Sequence, residues 1–253
     1  MIAAMGLDIR AGGHVSFDLE DRPLKSPRPF CSVLRAPTEV VLVLRPVGGL
    51  TDYAAFLHEL GHALHFGHVD PSLPWEFRHL GDNSITEGFA FVFDRLSVDA
   101  TWLREVIGLT EPQGLARTLA LRELMMSRKY AAQFLWELDL FSDDEPQARR
   151  ASWAEAIGRA TGVQQSPANY LGSVDPVFYC ARYLQGWLFE AVLSERLRAD
   201  LGPAWFHEPA AGERLLALYR RGQDRPVAAL FGELDAAPLT IEPLLQRAAR
   251  ELG

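Results

Sequence analysis

Between Thr51 and Phe66 the chain sets Tyr53, Phe56, Leu57, Leu60 and Leu64 on one side of a helical wheel and His58, His62 and His65 on the other. Apolar residues at this spacing make a continuous stripe only on an α-helix, so the segment is expected to be a helix with one face in a core. Thr51 suits the N-cap and Gly67 lies beyond the other end, which bounds the helix at about 51–66.

The polar face has a chemistry of its own. His58 and His62 are four residues apart, so their side chains leave the helix only about 40° from one another and can reach one metal ion. Zinc takes nitrogen ligands at about 2 Å, and a catalytic site keeps three protein ligands and leaves the fourth position to water. Glu59 points to the side of the pair, where it can take a proton from that water instead of binding metal. The run His58-Glu59-Leu60-Gly61-His62 is therefore expected to hold one zinc ion per chain, with Glu59 as general base. Solvated surface histidines would require neither the spacing nor the intervening glutamate.

Two residues compete as third ligand. Glu87 follows His62 by 87 − 62 = 25 residues and stands near the start of the next helical segment, which could lie beside the first. Against it, Ser84-Ile85-Thr86-Glu87 also fits a capping box, in which Glu87 would reach back to the backbone of Ser84. His68 is the rival, because His58, His62 and His68 nearly fit the metzincin pattern. That pattern needs glycine where this chain has His65; Gly67 comes two residues too late, and no Met-turn is evident. Glu87 is the stronger candidate. Asp94, seven residues further and on the same helical face, could orient a metal-bound histidine through its free ring N–H, or be a solvated charge.

The rest of the chain bounds the setting. A length of 253 residues suits one catalytic domain, with a β-rich lobe over 1–50 and a helical region over 51–253. Val15 to Leu19 alternates weakly, Pro23 to Pro29 is a connector, and the β-branched run Val40–Leu44 reads as a strand. Helices are expected from about Ser84 to Leu96 and over 112–140, 146–160, 176–200, 211–221 and 240–251, with Asp175-Pro176 and Gly202-Pro203 bracketing the fifth pattern. The fold class is mainly α with a small N-terminal β-sheet.

A net charge of −8 disfavours nucleic acid or an anionic membrane as partner. The apolar stretch at Met1 to Leu7 is too short for a signal-peptide core, and Val40–Leu44 cannot span a bilayer. Cys31 and Cys180, far apart and alone, do not make a disulfide framework, so each is expected as a small buried hydrophobe in a cytoplasmic protein.

These segments resemble the thimet oligopeptidase and oligopeptidase F family of zinc peptidases. The likeness is carried by His58-Glu59-Leu60-Gly61-His62-Ala63-Leu64-His65, by Glu87 with an acid seven later, and by a tyrosine-bearing helix from Asp175 onward. Phe17-Asp18-Leu19, Val40–Leu44 and Gly48-Gly49 look like the family's catalytic sheet and its approach to the zinc helix. The resemblance implies a gluzincin catalytic core with zinc ligands His58, His62 and Glu87, and with Glu59 as base and later proton donor. It also implies that a tyrosine of the later helix, Tyr183 or Tyr179, stabilises the tetrahedral intermediate. On that helix Tyr179, Tyr183, Gly186 and Glu190 form one stripe, opposed by Val177, Ala181, Leu184, Leu188 and Val192. Family members carry a long helical region ahead of the catalytic sheet, whereas this chain starts almost at the sheet. Its cleft is then open, or is covered by a second copy or by a partner chain.

The expected activity is zinc-dependent hydrolysis of peptide bonds, in oligopeptides, by a metallopeptidase whose partner is its peptide substrate. Val40–Leu44 could pair with the substrate backbone if it is a sheet edge. The alternatives are an inactive zinc-containing peptide-binding or partner subunit, and a zinc hydrolase of non-peptide amides.

Overall fold

The computed structural model describes residues 1–142, 146–174 and 176–253. Three strands lie near the N-terminus: β1 (Val15–Asp18), β2 (Phe30–Arg35) and β3 (Glu39–Val43). Their order is β1-β3-β2, with β1 parallel to β3 (Val15 opposite Val40) and β2 antiparallel to it (Phe30 opposite Val43). The aliphatic run at 40–44 is thus the central strand, and its burial explains its composition. It cannot offer a free edge to substrate; β2 can. β2 had no clear signature, because its residues Phe30-Cys31-Ser32-Val33-Leu34-Arg35 are only half-buried or exposed and do not alternate.

The remainder is helical: α1 (Leu50–Gly67), α2 (Trp75–His79), α3 (Asn83–Asp94), α4 (Ala100–Glu105), α5 (Gln113–Leu140), α6 (Arg150–Thr161), α7 (Tyr179–Leu201), α8 (Pro209–Tyr219), α9 (Val227–Glu233) and α10 (Glu242–Leu252). Short α2, α4 and α9 break stretches too brief to show a helical period. Gly49, not Thr51, caps α1, while the Asp52 carboxylate accepts the backbone N–H groups of Val47 and Gly48 at 2.6 Å each. The helix also runs through Gly67 to a cap at His68, because a side chain at Gly67 would strike Ala11 and Val15 of the N-terminal segment. Asp175 lies outside the described residues, and α7 itself begins three residues after Pro176. Its other end matches the stop signal, with Gly202 at the C-cap.

Helices α1, α3 and α7 form the centre. Leu57, Leu60 and Leu64 of α1 are fully or almost fully buried with Phe89 and Phe93 of α3 and Phe189 of α7, each contributing about 1.5–3 kcal/mol by area alone. What lets them come so close is the absence of side chains at their crossings. A Cβ on Gly61 would sit 2.5 Å from the Cα of Ala90, and one on Gly88 would sit 2.3 Å from the Phe189 ring. Gly186 of α7 completes the seam, facing Glu87 and Gly88 at about 3 Å. A second cluster, Trp136, Leu140, Trp153, Ile157 and Tyr170, joins α5 to α6.

The C-terminal α10 is fixed to this centre by charge. Arg247 makes two hydrogen bonds to the Glu190 carboxylate of α7, at 2.7 and 2.8 Å, and both residues are buried. Arg95, also buried, pairs with Glu251 of α10 and approaches Glu123 of α5 at 3.4 Å. Glu190 therefore continues the tyrosine stripe in register but serves packing. Among the described residues no helix is long and apolar enough to cross a membrane.

Candidate active site

The crossing of α1 and α3 brings His58, His62 and Glu87 together. Nε2 of His58 lies 3.6 Å and Nε2 of His62 lies 3.7 Å from the same Glu87 oxygen, Oε2, and one ligand atom from each residue falls within 4.8 Å of the others. Tetrahedral zinc with bonds of about 2.0–2.1 Å requires ligand atoms about 3.3–3.4 Å apart, so the two histidine-to-Glu87 separations are within about 0.4 Å of that spacing and a small inward shift of the rings would close the set on one ion. Glu87 is 4% exposed and its Oε2 has no hydrogen-bond partner among the described residues. A buried carboxylate oxygen left without a donor is costly, and a cation between it and the two imidazoles removes the cost. These residues fit a zinc ion.

The remaining atoms of the trio are held from behind. Nδ1 of His62 is 2.8 Å from Thr86 Oγ1, and Nδ1 of His58 faces Asp94 Oδ2 at 3.7 Å. Both rings thus turn Nε2 inward, the arrangement that supporting groups impose on metal-binding histidines. Asp94 stands where the sequence reading put it. Thr86 gave no signal beforehand. The Tyr179 hydroxyl donates to Glu87 Oε1 at 2.7 Å. Asp82, not Ser84, caps α3 by accepting from the Ser84 N–H, so Glu87 is not spent on a capping box.

Burial and neighbours set the charges. Burial pushes the Glu87 carboxyl up, opposed by His58 and the Tyr179 hydrogen bond. Burial also raises Glu59, opposed by His58 and by a hydrogen bond from the backbone of Cys31, with Glu87 adding to the rise. His62 is held well below the usual histidine range by burial and then by His58. For His58 burial acts in the same sense, but Asp94, Glu87 and Glu59 together outweigh it and the net shift is upward.

His58 and Glu59 open onto a cavity of about 420 Å³ between α1, α3, α5 and α7, bordered by Pro29 ahead of β2. Tyr183 lines it. The edge strand β2 therefore runs beside Glu59, the place that the sequence reading had offered to Val40–Leu44. Tyr179 leads α7 from a strained entry, since Val177 and Phe178 both have left-handed φ of 53° and 57° without being glycine. The next residue, Cys180, is buried and donates to Glu137, which also accepts from Gln133. No sequence pattern announced that buried network.

Of the two other histidines near this helix end, His68 is the weaker ligand candidate and His65 departs from expectation. His68 caps α1 with its Nδ1 2.8 Å from the Leu64 carbonyl, and is not in the metal trio. His65 does not face the cleft: it is fully buried, ringed by Phe66, Phe89 and Tyr219, because α8 covers that side of α1. Burial pushes its pKa down to about 3. The unfolded chain takes up that proton first, so stability is intact above about pH 6.5 and declines as pH falls towards 3. His65→Phe should therefore lose less stability than the parent between about pH 6.5 and pH 4 in urea titrations. Equal losses would place the acid sensitivity elsewhere.

No protein-family model and no curated protein matches the sequence. Solved structures do match the fold. The chain superposes on the M32 carboxypeptidase from Deinococcus radiodurans R1 with a TM-score of 0.71 at 19% identity, covering 100% of this chain and 58% of that one. Trypanosoma cruzi metallocarboxypeptidase 1 gives 0.68 at 15% identity, covering 99% and 56%. An oligoendopeptidase F-like protein from Bacillus anthracis gives 0.64 at 13%, covering 94% and 40%. The chain thus spans roughly half the length of the proteins it resembles. The likeness is wider than the oligopeptidase F resemblance alone, since it takes in carboxypeptidases. At these identities it is a likeness of fold alone: a mainly helical chain with a small three-stranded sheet, as in those solved structures.

Proposed function

We propose that the chain is the catalytic unit of a zinc-dependent peptidase, with His58, His62 and Glu87 holding one zinc ion. The observation that carries this reading is the convergence of both Nε2 atoms on Oε2 of Glu87, which has no hydrogen-bond partner among the described residues, next to a cavity that His58 and Glu59 border. When bound, the ion supplies a Lewis acid for the scissile carbonyl and acidifies a water.

The chain's own residues do the remainder. Thr86 and Asp94 hold the two imidazoles in orientation. Glu59 accepts the water's proton on its carboxylate and returns it to the leaving amine nitrogen; its raised pKa brings it nearer to the operating pH, as a proton carrier requires. Tyr183, which lines the cavity, is the better placed phenol to donate to the developing oxyanion, while the Tyr179 hydroxyl donates to Glu87. The free edge of β2 can pair with an extended substrate, which favours cleavage within oligopeptides. The cavity opens to outside, where a second copy of the chain or a partner could cover it.

The test joins metal analysis to a mixed peptide library. One zinc per chain and peptide cleavage, lost on chelation and restored by zinc, is the expected outcome; product masses separate internal cleavage from removal of C-terminal residues. Absence of bound zinc would defeat the site assignment. Peptide affinity without turnover would favour a binding subunit, and turnover confined to non-peptide amides would favour the third alternative.

A further inference from the structure

The start of α7 is fixed from outside the helix. Phe178, at its N-cap, makes no side-chain capping bond, and Val177 and Phe178 both hold left-handed φ without being glycine. Such a conformation persists only where the surroundings impose it. The surroundings here come from α5 and the residue beyond its end. The Phe178 ring meets Phe134 edge-on at 6.1 Å and Phe141 at 5.2 Å.

Beside these rings lies a buried polar chain. The Cys180 thiol donates to Glu137 Oε2 at 3.3 Å, and Gln133 donates to Oε1 of the same carboxylate at 2.7 Å. Gln133 in turn accepts from the Trp153 indole at 3.0 Å and from the Ser173 hydroxyl at 3.2 Å. Cys180, Glu137 and Gln133 are each at most 2% exposed. A carboxylate is a costly group to bury so completely. A glutamine of the same shape would satisfy Gln133 equally well, since one acceptor is enough for it. What glutamate adds is a second acceptor, and Cys180 is the residue that uses it.

The other end of this chain is the metal trio. Tyr179, the residue before Cys180, donates to Glu87 Oε1 at 2.7 Å, and its ring meets that of Tyr183 edge-on at 5.0 Å. A slack first turn of α7 would move the phenol off the carboxylate. We propose that Glu137 is a positioning residue of the metal site: by holding Cys180 it fixes the first turn of α7 and keeps the Tyr179 hydroxyl on Glu87. The assignment rests on the zinc reading of His58, His62 and Glu87, and zinc affinity tests it without turnover.

Affinity is measured on folded protein by competition with a chromophoric chelator, beside kcat and KM on a cleaved peptide. Tyr179→Phe removes the donor and should weaken zinc binding about 10- to 100-fold. Glu137→Gln keeps the bond from Gln133 but turns an N–H towards Cys180, and Cys180→Ala removes the thiol. Each should weaken zinc binding by at least about threefold. Cys180→Ser retains a donor and should stay within about twofold of the parent. Added to Tyr179→Phe, Glu137→Gln should cost less than about twofold more, because its effect passes through the missing hydroxyl. A role in folding alone would lower unfolding midpoints and leave these affinities unchanged. Parent-like affinity in Glu137→Gln and Cys180→Ala, or losses that multiply with that of Tyr179→Phe, would overturn the assignment and leave the peptidase reading standing. The expected losses in a protein that binds zinc but cleaves no peptide would uphold it and defeat the peptidase reading. A parent that binds no zinc would defeat both.

Discussion

Replacing Glu59 by Gln should leave zinc bound and slow peptide hydrolysis by about 10²- to 10⁴-fold, the usual worth of a positioned proton carrier. The substitution keeps shape and hydrogen-bonding reach but removes the titrating oxygen. Glu59 is outside the group of three that can share an ion, so occupancy should not fall. It is 8% exposed, close enough to His58 and the Cys31 backbone that both shift its charge, and it borders the cavity. The comparison must be made on kcat at equal zinc content, which separates lost proton transfer from lost metal. Turnover within a few-fold of the parent at full occupancy would remove Glu59 from the mechanism.

Arg247→Ala should cost about 3–5 kcal/mol of unfolding free energy, a large part of what a domain possesses. The cost comes less from the bonds lost than from what is left behind. Glu190 is 1% exposed, and without the guanidinium its carboxylate would be an uncompensated buried charge. The double variant Glu190→Gln with Arg247→Met should recover much of the loss, since a buried pair contributes little net stability against neutral groups of similar size. Denaturant midpoints of the three proteins decide the matter. A loss under about 1 kcal/mol for Arg247→Ala would mean that water or Arg95 reaches Glu190 when Arg247 is gone.

Much of the grouping of His58, His62 and Glu87 was legible in the sequence because helix geometry is local. His58 and His62 are fixed relative to one another by a single turn, and the Glu87-to-Asp94 spacing places both acids on one face of α3. Whether α3 lies against α1 is a tertiary fact, and there the sequence offered two readings of Glu87. The burial of His65 could not be read from the same wheel, since a histidine that faces a cleft and one that faces α8 have the same periodicity. The β2 edge was hidden for a similar reason. An exposed, irregularly patterned strand is defined by the strand it pairs with, and its own residues are ordinary. The cavity combines side chains from α1, α3, α5 and α7, so no window of sequence contains it.

The glycine seam also bears on how the protein can move. At Gly61 main chain meets main chain, and at Gly88 and Gly186 the facing groups are the buried Phe189 ring and the Cβ of Glu87 with the Gly88 backbone, so sliding one helix past another would drive closely packed atoms together. Helices α1, α3 and α7 should therefore travel as a single rigid block that carries the metal trio, Glu59 and both tyrosines. The fourth side of the cavity is made by α5, which is tied to the same block by Glu123 facing Arg95 and by the buried hydrogen bond from Cys180 to Glu137. The groups that line the cavity should therefore keep their relative places whether it is empty or occupied.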